Sequence, residues 1–81
     1  MEMSNLEYTE KKFKKNETVY LLNEYEEIAI KLVPTTHSYN CFAKIKGKGK
    51  GSEYRIDKTT NLALETELGG EIITKKYYDE Y

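Results

Sequence analysis

From Ile28 to Val33 the chain alternates. Ile28, Ile30 and Leu32 fall on one side, Ala29, Lys31 and Val33 on the other, and Pro34 stops the run. A period of two is the spacing of a β-strand, whose successive side chains point to opposite faces. Proline ends it because it has no N–H to give to a ladder. This is the clearest strand in the chain, and it directs the rest of the reading toward a sheet.

Neighbouring segments repeat the pattern. In Thr18-Val19-Tyr20-Leu21-Leu22, Val19 and Leu21 share one face and Tyr20 and Leu22 the other. Asn23, Glu24, Tyr25 and Glu26 read as a turn. After a polar loop over 35–40, Cys41, Ala43 and Ile45 point inward and Phe42, Lys44 and Lys46 outward. Glu53-Tyr54-Arg55-Ile56 alternates again, and Asp57 and Asn61 bound a turn, where their side chains can bond local backbone. Leu62-Ala63-Leu64-Glu65-Thr66 returns as a strand that buries Leu62 and Leu64. Gly69-Gly70 turns the chain once more, and Ile72-Ile73 closes the series. Thr74 then N-caps a terminal helical turn from Lys75 to Tyr81. Upstream, Leu6, Thr9/Glu10 and Phe13 have helix-like spacing, which gives a helical turn or arm.

Short strands joined by turns imply a mostly β domain, either a small antiparallel barrel or a bent five-stranded sheet with a short C-terminal helical turn. The expected layout is a polar arm or turn over 1–12, the β-barrel over 13–74 and the terminal turn over 75–81. At 81 residues the chain makes one domain. Its stability is expected on the order of 5 kcal/mol. A core this small leaves little room for an enclosed substrate pocket, so the chain is expected not to be an enzyme.

Residues 13–67 resemble a small SH3-like barrel of phage or prophage type. Lys14-Lys15-Asn16-Glu17-Thr18-Val19-Tyr20-Leu21 is similar to the opening strand of such barrels. The hairpin from Glu53 to Asp57 and from Leu62 to Glu65 is similar to their later strands. The end, Ile73-Thr74-Lys75-Lys76-Tyr77-Tyr78-Asp79-Glu80-Tyr81, resembles the closing turn of many short phage proteins. Asn16 stands where most opening strands of this kind have glycine, and Asn also tolerates a left-handed turn. The resemblance implies a non-catalytic adaptor, an inhibitor of a host protein or a nucleic-acid accessory factor.

The charge balance narrows these roles. Thirteen basic and 14 acidic residues give a net charge of −1, neither the basic excess of a general nucleic-acid binder nor the acidic excess of a DNA mimic. The total hides a segregation. Lys44, Lys46, Lys48 and Lys50 alternate, which places all four on one side of a strand, reinforced by Lys11, Lys12, Lys14 and Lys15 if these lie nearby. Such a row either neutralises phosphates or guards a sheet edge. Against it stand Glu24, Glu26, Glu27, Glu65, Glu67, Glu71, Asp79 and Glu80. A polarised surface suits an electrostatically steered partner or head-to-tail self-association.

Two motifs are considered and set aside. Gly47-Lys48-Gly49-Lys50-Gly51-Ser52 has the composition of a phosphate loop, but not the spacing or the following helix that one requires. His37 and Cys41 lack the further soft ligands a zinc site needs, and no orienting or oxyanion group supports a nucleophile pair. Cys41 reads as a small core residue. No catalytic, cofactor-binding or metal-binding residue is assigned.

Eight tyrosines are the chain's most unusual feature. Tyr20 and Tyr54 read as core or half-buried. Tyr25, Tyr39, Tyr77, Tyr78 and Tyr81 fall in turns or at the end, where a tyrosine offers a large contact area with few rotors. These five are the expected partner anchors, with Lys44, Lys46, Lys48 and Lys50 as steering charges. The leading expectation is a cytoplasmic binding protein, phage or mobile-element in kind, that modulates or inhibits a host protein in the host cytoplasm. The alternatives are a nucleic-acid or nucleotide binder using the lysine row and glycine loop, and a structural subunit of a homo-oligomer. A lone cysteine, no apolar run of ~20 residues and no signal-like start fit a cytoplasmic protein without a membrane partner.

Overall fold

The structure is a computed structural model, and it describes residues 3–47 and 52–81. Its centre is a hairpin, β1 (Val19–Asn23) paired antiparallel with β2 (Ile28–Pro34), in the register Val19↔Leu32, Leu21↔Ile30 and Asn23↔Ile28. β3 (Tyr39–Ile45) continues the meander on β2, and β4 (Tyr54–Ile56) pairs with Cys41, Phe42 and Ala43 of β3. β5 (Glu71–Ile72) adds to the free side of β1, so the order is β4-β3-β2-β1-β5.

This is an open five-stranded antiparallel sheet. β4 and β5 are its two edges, so the barrel expected from the turn spacing does not close. The reason lies in residues 62–66. They are helical, within α2 (Asn61–Gly69), and therefore leave no strand to carry the sheet round from β4. Thr60 caps the helix by accepting from the Ala63 N–H, and Leu, Ala and Glu are favourable helix formers. Its buried side is Ala63 and Thr66, three apart, whereas the Leu62–Leu64 alternation has no counterpart in burial: Leu64 is exposed. The Thr66 hydroxyl is satisfied in place, donating to the Leu62 carbonyl and accepting from the Asn23 amide.

Two other helices flank the sheet. α1 (Asn5–Lys14) is a full helix that runs past the arm expected over 1–12; Ser4 caps it through the Glu7 N–H. Directly after it Asn16 takes φ 59°, the left-handed conformation that Asn tolerates and that glycine usually supplies. α3 (Lys75–Glu80) follows its Thr74 cap as the sequence predicts.

The period-two pattern sorts the core into two layers. Val19, Leu21, Ile28, Ile30, Leu32, Cys41 and Ala43 form one buried face with Ala63 of α2, and Tyr8, Phe13 and Leu62 pack against it. The other face is smaller. Leu22 and Ala29 lie with Tyr78 of α3, bordered by Tyr20, Ile73 and Tyr81. Ile45, expected inward, is exposed at the end of β3. Among the described residues no helix is long and apolar enough to cross a membrane.

Gly70 joins α2 to β5 at a close approach. A Cβ there would sit 2.5 Å from the Thr66 carbonyl oxygen and 3.0 Å from that of Leu22, both backbone atoms. Gly70→Ala is therefore expected to cost about 3 kcal/mol, the upper end for overpacking. Gly69 has open space at its Cβ and ends the helix, so Gly69→Ala should be neutral or stabilising by up to about 1 kcal/mol. Urea midpoints of the two variants check the contrast.

Candidate functional site

The register divides the sheet into two ends. Asn23, Ile28 and Ile45 lie side by side at one; Val19, Leu32, Cys41 and Ile56 do so toward the other. At about 3.3 Å per residue, the five residues of β1 hold these ends roughly 13 Å apart. The first end carries the β1–β2 turn, residues 24–27. Its shape is fixed locally: the Asn23 side chain accepts from the Glu26 N–H at 3.0 Å, and Glu27 takes φ 55°. Glu27 in turn accepts from the Lys46 N–H at 3.0 Å, which ties the turn to the end of β3. At the tip Tyr25 is 93% exposed.

α3 brings two further tyrosines to this end, and a polar cluster holds α3 in place. Tyr78 is buried, with its ring 5.2 Å from that of Tyr20. Its hydroxyl donates to Glu53 at 2.8 Å, and Glu53 forms an ion pair with Lys31 at 2.9 Å. Burial alone would push the Glu53 carboxyl up. Hydrogen bonds from Lys31 and Tyr78, with the charges of Lys31 and Lys44, outweigh it and hold that carboxyl below its usual range. Lys44 is buried beneath the helix and donates to the carbonyls of Tyr78 and Asp79 at 3.0 and 3.1 Å. A buried ammonium thus caps the last turn of α3, adding to the Tyr81 N–H on the Tyr78 carbonyl and meeting the negative end of the helix dipole.

With α3 seated, Tyr77 and Tyr81 stack at 6.2 Å. They border a recess of about 540 Å³ with Leu22, Glu24, Glu27, Lys46 and Glu80. Three carboxylates against one ammonium leave it net negative, 3 − 1 = 2 charges. Burial pushes the Tyr81 hydroxyl up, and Tyr77, Glu27 and Glu24 add to the shift. Across Glu24 lies a second recess of about 300 Å³, containing Tyr25, Glu65 and Glu71. Leu22 and Glu24 border both recesses, and Tyr25 lines the second.

The structure brings together Tyr25, Tyr77, Tyr81 and Lys46 of the expected partner residues. It places the others elsewhere. Tyr78 is 2% exposed and is a core residue, not a surface anchor, because it packs on Leu22 and Ala29 on the second face of the sheet. Lys44 does lie on the same side as Lys46, as alternation requires, but α3 covers it and its ammonium is spent on backbone carbonyls. Lys48 and Lys50, with most of the glycine-rich run, fall outside the described residues. Tyr39 is half-buried at the opposite end of the sheet. Its ring lies 5.4 Å from Phe13 and its hydroxyl bonds Glu67. Burial, then Glu67, pushes that hydroxyl up to about 12.

The segregation of basic and acidic groups expected from the sequence is broken by ion pairs: Lys12 with Glu17, Lys31 with Glu53 and Lys75 with Asp79. Lys14 ends α1 and Lys15 caps it, on the chain leading into the start of β1, opposite the acidic turn, so they do not reinforce Lys46. His37 is exposed in its loop, while Cys41 is buried, its thiol pushed up to about 12 by desolvation and then by the charge of Glu67. The residues missed in the sequence are Lys31 and Glu53. Twenty-two positions separate them, and nothing local pairs a glutamate just before an edge strand with a central-strand lysine. Comparison with family models, with curated proteins and with solved structures returned no match to this chain.

Proposed function

We propose that this chain is a non-catalytic binding protein whose acidic, tyrosine-bearing end docks on a basic surface of another protein. The observation that carries the reading is Tyr25, 93% exposed at the tip of a locally fixed turn and bordering an acidic recess with Glu24, Glu65 and Glu71. A tyrosine held on a rigid hairpin loses little freedom on binding and offers ring area with a polar tip. Carboxylates around it favour lysine or arginine on the partner and speed encounter at low salt. Tyr77 and Tyr81 extend the apolar contact. The resemblance to phage and prophage proteins supports a host protein as that partner, bound in the host cytoplasm and modulated or inhibited by the contact. The nucleic-acid alternative loses support, since Lys44 is turned inward and the recess beside Lys46 is acidic.

Affinity capture from the native host, with wild type and Tyr25→Ala compared by mass spectrometry, tests this. A residue so exposed contributes little to folding, so the variant should melt with wild type. It should weaken capture of a specific basic protein by about tenfold or more, the scale of an interface hot spot. Unchanged capture by a Tyr25→Ala, Tyr77→Ala double variant would sink the proposal. Retention of the wild type on an oligonucleotide, falling steeply with salt, would favour the nucleic-acid reading instead.

A further inference from the structure

The face of the sheet beneath α1 and α2 is incompletely covered. Between the helices lies a recess of about 250 Å³, with buried Leu32 and half-buried Phe13 inside it and Leu6 and Leu68 at its margin, 56% and 64% exposed. It is smaller than the roughly 300–1,000 Å³ of small-molecule pockets, a volume suited to one or two inserted side chains. α2 also exposes leucines, although Leu62 packs on the core. α2 buries Ala63 and Thr66 while Leu64 and Leu68, four apart and hence on one face, point outward. A surface helix ordinarily does the reverse.

The recess is charged in one sense only. Glu10 and Glu67 line it, and none of its lining residues is basic. Both Glu67 oxygens accept from the single Tyr39 hydroxyl, at 3.0 and 3.1 Å. No ion pair to Glu67 is present among the described residues; Lys58, the nearest cation acting on it, bonds Ser38 and the Tyr39 carbonyl instead. Burial pushes the Glu67 carboxyl up despite these neighbours. A carboxylate has about four acceptor sites, and the Tyr39 hydroxyl engages two of them, which leaves Glu67 able to accept from a cationic donor.

We propose that this recess docks an apolar segment of a partner protein that carries one lysine or arginine. The apolar side chains fill the space between Leu6 and Leu68, and the cation pairs with Glu67, with Glu10 beside it. This surface is separate from the tyrosine-bearing end, since Leu32 and Tyr39 belong to the opposite end of the sheet.

The full-length chain, labelled for amide NMR, would be titrated with two short leucine–alanine peptides that differ only in a central arginine or glutamate. The arginine peptide is expected to shift Leu6, Phe13, Glu67 and Leu68 and to bind about tenfold tighter or better, the scale of one charge-assisted hydrogen bond. Glu67→Gln, which retains an acceptor for Tyr39, should remove most of the difference between peptides, leaving the smaller part due to Glu10. Leu68→Ser, at an exposed position, should weaken both. Tyr25→Ala should change neither, which separates this site from the acidic end. Equal binding of the two peptides, binding of neither, or shifts confined to Glu24, Glu27 and Glu80 would each overturn the proposal. So would a concentration-dependent dimer lost in Leu68→Ser, because the occupant would then be a second copy.

Discussion

Tyr78→Ala is expected to free α3 from the sheet and to cost about 3–5 kcal/mol, the range for emptying a buried aromatic site. That approaches the whole stability of a domain this small. The cost is concentrated because α3 has six residues and buries only Tyr78. The ring covers Leu22 and Ala29, packs on Tyr20 and lies 5.1 Å from the Lys44 ammonium. Without it Lys44 keeps its charge but loses the carbonyls that accept from it. Tyr78→Phe separates the parts. It keeps the ring and removes one donor from Glu53, so it should cost only about 1 kcal/mol. Urea unfolding gives the stabilities, and the amide signals of Tyr77 and Tyr81 report whether the helix has come away. An alanine variant within 1 kcal/mol of wild type would show that α3 is held by something other than this ring. Because Tyr77, Glu80 and Tyr81 ride on α3, the same variant dismantles half of the acidic end while leaving Tyr25 in place.

Alternation placed the strands well, and it also explains what stayed hidden. A period of two assigns side chains to faces but does not say which face is covered. Lys44 and Lys46 obey the same alternation, yet one lies under α3 and the other at its rim. Tyr78 looked like a terminal surface residue because nothing in a six-residue helix marks the one side chain that docks. The segment 62–66 satisfied a strand pattern through Leu62 and Leu64, a short apolar run in which periodicity cannot separate helix from strand. Its signal was the Thr60 cap and the spacing of Ala63 and Thr66. At the N-terminus the reading ran closer: Leu6, Thr9, Glu10 and Phe13, recognised by helical spacing, line the α1–α2 recess. Asn16 likewise sits in the left-handed turn its residue type allows.

Removing Glu53 should be the second large perturbation. Glu53→Ala deletes the partner of Lys31 and the acceptor of Tyr78 together, and leaves two cations near the Tyr78 ring without a carboxylate between them to offset their charge. A fully buried pair broken on one side costs about 3–5 kcal/mol and an exposed one less than 1. Side chains of Lys31 and Glu53 that are 25% and 27% exposed place this pair between the limits, near 2 kcal/mol. The same residue sets an acid dependence. Its folded pKa lies below the usual 4.5, so its contribution is complete above that value and is lost as pH falls through the folded pKa. Glu67 has the opposite sign. Its folded pKa is raised, so its contribution is present below 4.5 and lost as pH rises through the folded value. In the wild type the two partly offset. Glu53→Gln should therefore flatten the loss of stability on acidification, and Glu67→Gln should steepen it while stabilising the chain at neutral pH. Some slope must survive in Glu53→Gln, since hydrogen bonds from Thr59 hold Asp57 low and the Lys75 ion pair holds Asp79 low. Urea midpoints from pH 7 down through the carboxylate range decide it. If both variants track the wild type, neither carboxylate is coupled to folding, and α3 would be held by the Tyr78 ring and Lys44 without help from Glu53.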